Sequence, residues 1–572
     1  MNTSLSIQHR RVLLGPVFLL WGIGLSAQSP ASRDSTESRI GAIFAPFARN
    51  DSPGCVVAVF RAGAVLYTSG FGRADVSHDI PLTDTTRMPV ASTSKQFTAM
   101  AVLLLEAEGK IRLHDDIRRY IPELPVFGQP ITIRHLLNHT SGLRDSWNLF
   151  DMAGWRTSDV ETQTDLLWLL HRQEDLNHPT GTEFLYNNTG YSLLALLVER
   201  VSGTTFRRFI AGRVFGPLGM AHSEIKAEVE QVVKGLATGY WGHDPATLRV
   251  ARPPFSFTGP TGVVTTMRDL ARWDANFYTP RVGTRALLDS MSTPQRLDDG
   301  TTIGYGMGLF IGTHRGRRMI SHAGSDPGYK ADFIRFPEDS LSVAVLCNAF
   351  DIAPTPLALQ VADFYLPADA HAATAPRVSA PEVTPASDTS SKIPIRTLAG
   401  LYWSNTSGGL HRFFYENGQL VLDGGGEGRF PLAPLGNNAY RLTAAPRRFL
   451  FTFVQRPGVP IAMEVDVEGS PLRTYARVPE VARSAAPLER LAGTYYSREL
   501  DVTWTFVLSA GKLVLQRRRV EPDTLTSLFG NVFLSEHGFV LEFARDKRDK
   551  PPSVDVTTER VRRLRFTRGR CP

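Results

Sequence analysis

A serine and a lysine three residues apart, Ser92 and Lys95, stand where Pro89-Val90-Ala91-Ser92-Thr93-Ser94-Lys95-Gln96-Phe97-Thr98-Ala99-Met100 passes from a turn into an apolar helical stretch. Residues three apart share a helix face, so the hydroxyl and the ammonium can meet. A serine hydroxyl is a weak nucleophile until a base takes its proton. A lysine desolvated against apolar neighbours can lose its own proton near neutral pH and serve as that base. The start of a helix adds N–H groups and a positive dipole end where an oxyanion would form. The chemistry indicated is serine acyl transfer. The spacing alone does not decide it, because Ser223/Lys226 and Ser509/Lys512 repeat it without supporting context. A helix N-cap is the commonest use of serine at such a place, with the lysine a solvated first-turn residue.

Such a site needs two further parts. One is a polar group that shuttles protons and holds the substrate. The other is a strand edge that completes an oxyanion hole and receives a polar end of the substrate. Tyr186-Asn187-Asn188, in the loop ahead of a helix, supplies the first. His322-Ala323-Gly324, at the end of a strand, supplies the second, with a glycine that lets a ligand approach the backbone. Each has a decoy, Tyr415-x-Asn417 and His314-x-Gly316, one beyond a linker and one in a polar turn. Singly, Tyr186 and Asn188 read better as residues that fix a turn; the ordered set carries the catalytic reading. His135 and His139 have a helical four-residue spacing, but no third ligand accompanies them, so structural roles are expected and no metal.

With these three elements in this order, the sequence resembles the penicillin-binding serine hydrolases related to class C β-lactamases, DD-peptidases and D-aminopeptidases. The resemblance runs over roughly residues 38 to 366 and includes His139-Thr140-Ser141-Gly142, Gly262-Val263-Val264-Thr265-Thr266 and Tyr305-Gly306-Met307-Gly308. It implies that Ser92 is acylated, Lys95 activates it, and Tyr186 exchanges protons through a phenol of depressed pKa. Asn188 would bond the substrate amide and Lys95, and the N–H groups of Ser92 and Ser325 would form the oxyanion hole beside Gly324. His322 stands where many relatives carry lysine and several peptidases and esterases of the group carry histidine; a neutral imidazole is a poorer carboxylate anchor than an ammonium, which weighs against efficient β-lactam hydrolysis. The fold implied is an α/β serine β-lactamase-like sandwich, an antiparallel sheet with helices on both faces.

The remaining chain is read around that centre. Its 572 residues exceed one ordinary domain, and 42% hydrophobic with 21% charged residues describes globular material. The net charge of +7 is mild, and the arginines Arg517-Arg518-Arg519 and Arg560 to Arg570 alternate with apolar residues, so they read as solvated strand faces rather than a nucleic-acid site. His9-Arg10-Arg11, the apolar run Val12 to Leu25 and Leu25-Ser26-Ala27 read as a secretory signal over 1–27, with an uncleaved anchor as the alternative. A periplasmic or secreted protein is therefore expected. Of three cysteines, Cys55 and Cys347 fall in buried strands; small apolar side chains account for both, and a bridge needs those strands to be neighbours. Strands are expected at Cys55–Phe60, Val65–Thr68, Arg318–His322, Ala331–Phe336 and Leu341–Asn348. Helices are expected at Ser38–Arg49, Ser92–Glu108, Tyr191–Ser202, Phe206–Val214, Thr266–Trp273 and Pro356–Leu366, so the hydrolase domain spans 28–367 with a sheet joining its two ends.

An Ala/Pro/Ser/Thr linker over 368–394 follows. Beyond it a repeat appears: Leu398-Ala399-Gly400-Leu401-Tyr402 matches Leu491-Ala492-Gly493-Thr494-Tyr495, and Gly418-Gln419-Leu420-Val421-Leu422 matches Gly511-Lys512-Leu513-Val514-Leu515. Two small antiparallel β-barrel-like domains, 395–480 and 488–570, are expected to shape the mouth of the site or bind a partner. The reading is an exported serine hydrolase cleaving an amide or ester bond in a D-amino-acid peptide, a β-lactam or a small ester. It calls for no metal and no organic cofactor, a small-molecule or peptide substrate, no nucleic acid, and a membrane only through an uncleaved leader. The competing readings are a catalytically silent sensor on the same fold and a cell-wall binding protein whose barrels do the work.

Overall fold

The computed structural model describes residues 30–367, 393–404, 406–424, 429–442, 449–467, 472–479, 487–544 and 552–569. The expected signal over 1–27, all but the last two residues of the expected linker, and Cys571 lie outside them. The chain divides into two units, Met1–Ala42 and Ile43–Pro572. The first ends within helix α1, Pro30–Phe44. That helix starts eight residues before the expected one, with a proline at its first position, where the missing N–H costs nothing. A 3-10 turn over Ala45–Phe47 replaces its expected last turn.

In the second unit, six antiparallel strands form the sheet around which the first half of the chain is built. They are β1 (Cys55–Arg61), β2 (Ala64–Phe71), β3 (Phe310–His314), β4 (Arg317–Asp326), β5 (Tyr329–Phe336) and β6 (Leu341–Cys347). Their order is β3-β4-β5-β6-β1-β2, so the first strand pairs with the last. Every residue of β6 and all of β1 except Arg61 are buried. Runs such as Cys-Val-Val-Ala-Val-Phe are unbroken in apolarity because both sheet faces are covered. The β1–β2 turn takes positive φ at Ala62 and Gly63, and a Cβ on Gly63 would lie 2.3 Å from Ala275 Cβ.

Four more helices matter for the site: α2 (Lys95–Ala107), α3 (Asn188–Ser202), α4 (Met267–Asn276) and α5 (Pro354–Ala362). Asp274 of α4 is wholly buried and accepts from Arg335 Nε at 3.0 Å, Ser342 Oγ at 2.6 Å and Gly63 N at 2.9 Å. A buried carboxylate is tolerated when its oxygens are filled in this way. Arg335 and Ser342 are cross-strand partners on one face of the sheet. Asp332, three residues from Arg335 and so on the other face, accepts from Thr355 of α5. Helices therefore cover both faces. Helix α3 begins three residues before the expected Tyr191, because the Asn187 side chain caps it by accepting from Gly190 N at 2.8 Å. It ends at Gly203 in the left-handed conformation.

After the hydrolase domain come a closed eight-stranded barrel, from Gly400–Trp403 to Arg473–Val478, and a nine-stranded, nearly closed one, from Gly493–Ser497 to Leu564–Arg568. The sequence repeat has a physical basis. Tyr402 and Tyr495 each donate to the carbonyl four residues earlier, Leu398 and Leu491, at 3.0 Å. Gly400 and Gly493 adopt φ of 142° and 143°, and a Cβ on either would press on the arginine, Arg477 or Arg568, that bonds the neighbouring carbonyls. The barrels pack on each other through Leu401, Trp403, Leu528, Val532 and Val540. The second also packs on the hydrolase domain: Trp504 Nε1 donates to Met152 O at 3.0 Å, Arg517 to Asp151 O at 2.7 Å, and Arg144 pairs with Glu499.

Candidate active site

Ser92 lies in a 3-10 turn, Ala91–Ser94, that runs directly into α2. It makes no cap hydrogen bond, so the N-cap role weighed for it is not the one it plays. Lys95 follows on the same face and is fully buried. Its Nζ lies 3.1 Å from Ser92 Oγ, 2.9 Å from Asn188 Oδ1 and 3.1 Å from Pro260 O. A neutral amine has two hydrogens and one lone pair. Asn188 and Pro260 accept the two hydrogens, which leaves the lone pair for the Ser92 hydroxyl. Burial drives Lys95 well below the ordinary lysine value; Asp145 opposes this, Arg560 adds to it, and Asp326 opposes it again. The group is thus poised as a base.

The turn is tied to its neighbours on both sides. Thr93 Oγ1 donates to His322 O at 2.8 Å, and Ser94 Oγ accepts from Val263 N at 3.1 Å. Gly324 of β4 lies against this turn: a Cβ there would meet Val90 O at 2.2 Å and Ser92 N at 3.1 Å. Ala323 and Ser325 flank it on the exposed face of the strand, whereas His322 and Asp326 are buried. The fold thus brings the Gly324–Ser325 strand edge alongside Ser92.

Tyr186 packs its ring 4.8 Å from Lys95 Nζ, stacks on Phe310 with centroids 6.1 Å apart, and lies 4.4 Å from the His139 ring. The Tyr-Asn-Asn loop is fixed by the His-Thr-Ser-Gly segment: Asn187 N donates to His139 Nδ1 at 3.1 Å, Leu185 N to His139 O at 2.9 Å, and Asn187 Nδ2 to Leu143 O at 2.7 Å. Asn188 N donates to Asp145 Oδ2 at 2.7 Å. His139 has left its helix with a φ of 62°, and His135 Nδ1 accepts from Thr132 N, so the two histidines of the four-residue spacing serve separate structural ends.

Two expectations are corrected here. The Tyr186 phenol is not depressed: burial dominates and pushes it up, against the downward pull of Ser92 and Arg560. Burial thus favours the protonated form of Tyr186 and the neutral form of Lys95. The His322 imidazole, expected to face the substrate, is 1% exposed and has both nitrogens engaged, Nδ1 with Ala323 O at 2.7 Å and Nε2 with Tyr305 Oη at 3.2 Å. Burial, with the Lys95 charge second, holds it down to about 3, so it is neutral.

The sequence reading missed several neighbours of the site. Asp145 stands just past the His-Thr-Ser-Gly segment and is an N-cap, a signal that was legible. The Pro260 carbonyl carries no side-chain signal. Arg560 is the largest omission. It belongs to the second barrel, in the loop between Ser553–Thr557 and Leu564–Arg568, and its guanidinium lies 5.1 Å from the centroid of the Tyr186 ring. The neighbouring Arg562 bonds both oxygens of Glu183, at 2.9 and 2.7 Å, and Arg473 of the first barrel pairs with the same carboxylate. Arg517, Arg560 and Arg562 are thus contacts to the hydrolase domain, not the solvated strand faces expected of the arginine-rich C-terminal region.

The comparisons with known proteins agree with this geometry. The beta-lactamase family model matches residues 40–364. Penicillin-binding protein 4* of Bacillus subtilis (strain 168) is 31% identical over 302 residues, 50% of this chain and 66% of its own. The D-aminopeptidase of Brucella anthropi is 30% identical over 297 residues, 52% of this chain and 56% of its own. The chain thus spans less than two thirds of the length of these curated relatives. In fold, the octameric penicillin-binding protein homologue from Pyrococcus abyssi superposes with a TM-score of 0.52 at 23% identity, over 77% of this chain and 99% of that one. By its matched family model and its ordered motifs, this chain belongs to the beta-lactamase family of serine hydrolases.

Proposed function

We propose that this chain hydrolyses an amide or ester bond through an acyl-enzyme on Ser92. The observation that carries the reading is the coordination of Lys95 Nζ, whose two proton acceptors are fixed and whose third neighbour is the Ser92 hydroxyl. Lys95 takes the hydroxyl proton as Ser92 attacks the carbonyl. The Ser92 and Ser325 N–H groups hold the resulting oxyanion, which in a water-poor site is worth about 3–4 kcal/mol per donor. Tyr186, protonated and beside Lys95, relays a proton to the leaving group. Water then attacks the acyl-enzyme by the same route, and Ser92 is released. Asn188 orients both Lys95 and the substrate amide.

D-amino-acid peptides, β-lactams and small esters remain the substrate classes, and similarity to a D-aminopeptidase favours the first. The bridge between Cys55 and Cys347, which are paired across β1 and β6, supports an oxidising compartment and so a periplasmic or secreted protein. The test is labelling with a fluorophosphonate and a fluorescent β-lactam, followed by a panel of p-nitrophenyl esters, D-amino-acid anilides and nitrocefin. Labelling that disappears in Ser92→Ala, with turnover of one class, is expected. Wild-type protein that neither labels nor turns over any member of the panel would return the chain to the silent-sensor reading.

A further inference from the structure

The loop that carries Arg560 is held by its backbone. Thr558 N donates to Val561 O at 2.7 Å and Val561 N to Thr558 Oγ1 at 3.0 Å, closing a tight turn. Asn177 of the hydrolase domain spans it, donating to Arg560 O at 2.9 Å and accepting from Arg562 N at 2.7 Å, while Asp145 N also donates to Arg560 O. Val561 is buried in the core, and Arg562 is clamped on Glu183. None of these anchors uses the Arg560 side chain. That side chain is a quarter exposed and lies over the ring of Tyr186, and it donates a hydrogen bond of 3.4 Å to the exposed Glu559. A guanidinium has five N–H donors in a planar fork matched to a carboxylate.

Holding this cation next to Lys95 opposes protonation of Lys95, and Asp145, the carboxylate that acts on Lys95 in the opposite sense, already accepts from Asn188 N and Trp147 N. His322 is neutral with both nitrogens occupied. The cation that lies over Tyr186 and acts on Lys95 therefore comes from the second barrel.

We propose that Arg560 is the anchor for a substrate carboxylate, so that the preferred acyl substrates carry a free carboxylate close to the scissile carbonyl. This rests on the Ser92 acyl-enzyme reading. The second barrel, on this account, selects the substrate. The experiment uses the full chain and two esters with one leaving group, p-nitrophenyl hemiglutarate and p-nitrophenyl butyrate. The wild type should favour the hemiglutarate in kcat/KM. In Arg560→Gln the ratio between the two esters should fall by about tenfold or more, as for a lost charged hydrogen bond, and Arg560→Lys should recover part of it. Any general effect of the substitution on Lys95 cancels in the ratio. A wild type without preference, or an unchanged ratio in Arg560→Gln while fluorophosphonate still labels Ser92, overturns the anchor and leaves the acyl-enzyme reading standing. Absence of labelling at Ser92 in the wild type overturns both.

Discussion

Gly324→Ala is the sharpest test of how the strand edge serves the nucleophile. The added Cβ would lie 2.2 Å from Val90 O, 3.0 Å from Ala91 Cβ and 3.1 Å from Ser92 N. The first contact cannot be relieved by a side-chain rotation, because Val90 O is backbone. That carbonyl also accepts from Thr93 N at 3.0 Å, which closes the turn bearing Ser92, and Val90 N is held by Val263 O at 3.0 Å. Either β4 withdraws or the turn opens, and a displacement of about 1 Å at a reacting centre is enough to cost about a hundredfold in rate. If the strand withdraws, one oxyanion donor is lost as well, with a penalty of about 100- to 1000-fold in kcat. The stability cost is that of modest overpacking, about 1–3 kcal/mol, so the protein should fold. Steady-state kinetics on the best ester of the panel, with a thermal melt, measure both. Gly212→Ala is the control, since a Cβ there meets nothing within 4 Å. A Gly324→Ala enzyme within threefold of wild type, with an unaltered melt, would refute the placement of β4 against the nucleophile.

Three other outcomes are expected. The value of log kcat/KM should rise with pH through a Lys95 pKa below that of an ordinary lysine, and since Arg560 helps to hold it down, Arg560→Gln should move that limb to higher pH; an unmoved limb would exclude Lys95 as the titrating base or Arg560 as its neighbour. Asp332 is buried, with Oδ1 unpartnered, and burial pushes it up to about 6. A carboxyl raised on folding contributes most below its unfolded value and loses that contribution as pH rises through the folded one. Asp332→Asn should therefore gain about 2–3 kcal/mol relative to wild type between pH 4 and pH 8 in urea melts, and a pH-independent difference would contradict the burial argument. Denatured, unreduced protein should titrate one thiol and reduced protein three, and removing both Cys55 and Cys347 should cost about 2–4 kcal/mol; three thiols without reductant would show that the bridge does not form.

Parts of the molecule that depend on neighbouring residues alone were legible from the chain. The turn-to-helix passage at Ser92 and the buried runs at Cys55 and Leu341 declare themselves by composition and period, whereas the strand expected over Arg318–His322 runs on to Asp326 and so takes in Gly324. The paired Leu-Ala-Gly repeats foretold two like barrels because the same glycine makes room for the same arginine in each. Element ends were less legible: α3 starts at Asn188 because a side chain caps it, which moves a site residue from loop to helix.

What the sequence determined by itself was the family and the three motifs to bring together, Ser92 with Lys95, Tyr186 with Asn188, and His322 with Gly324, since residue types in a fixed order need no coordinates to be read as one chemistry. Only the tertiary structure decided that Cys55 faces Cys347, that the Tyr186 phenol keeps its proton, that His322 is buried with both nitrogens engaged, and that Arg560 lies over the Tyr186 ring. The physical reason is common to all four. Protonation depends on how completely neighbours exclude water, and contact depends on the register of strands hundreds of residues apart. An arginine in a loop has the same local pattern whether it meets solvent or the active site of the adjoining domain.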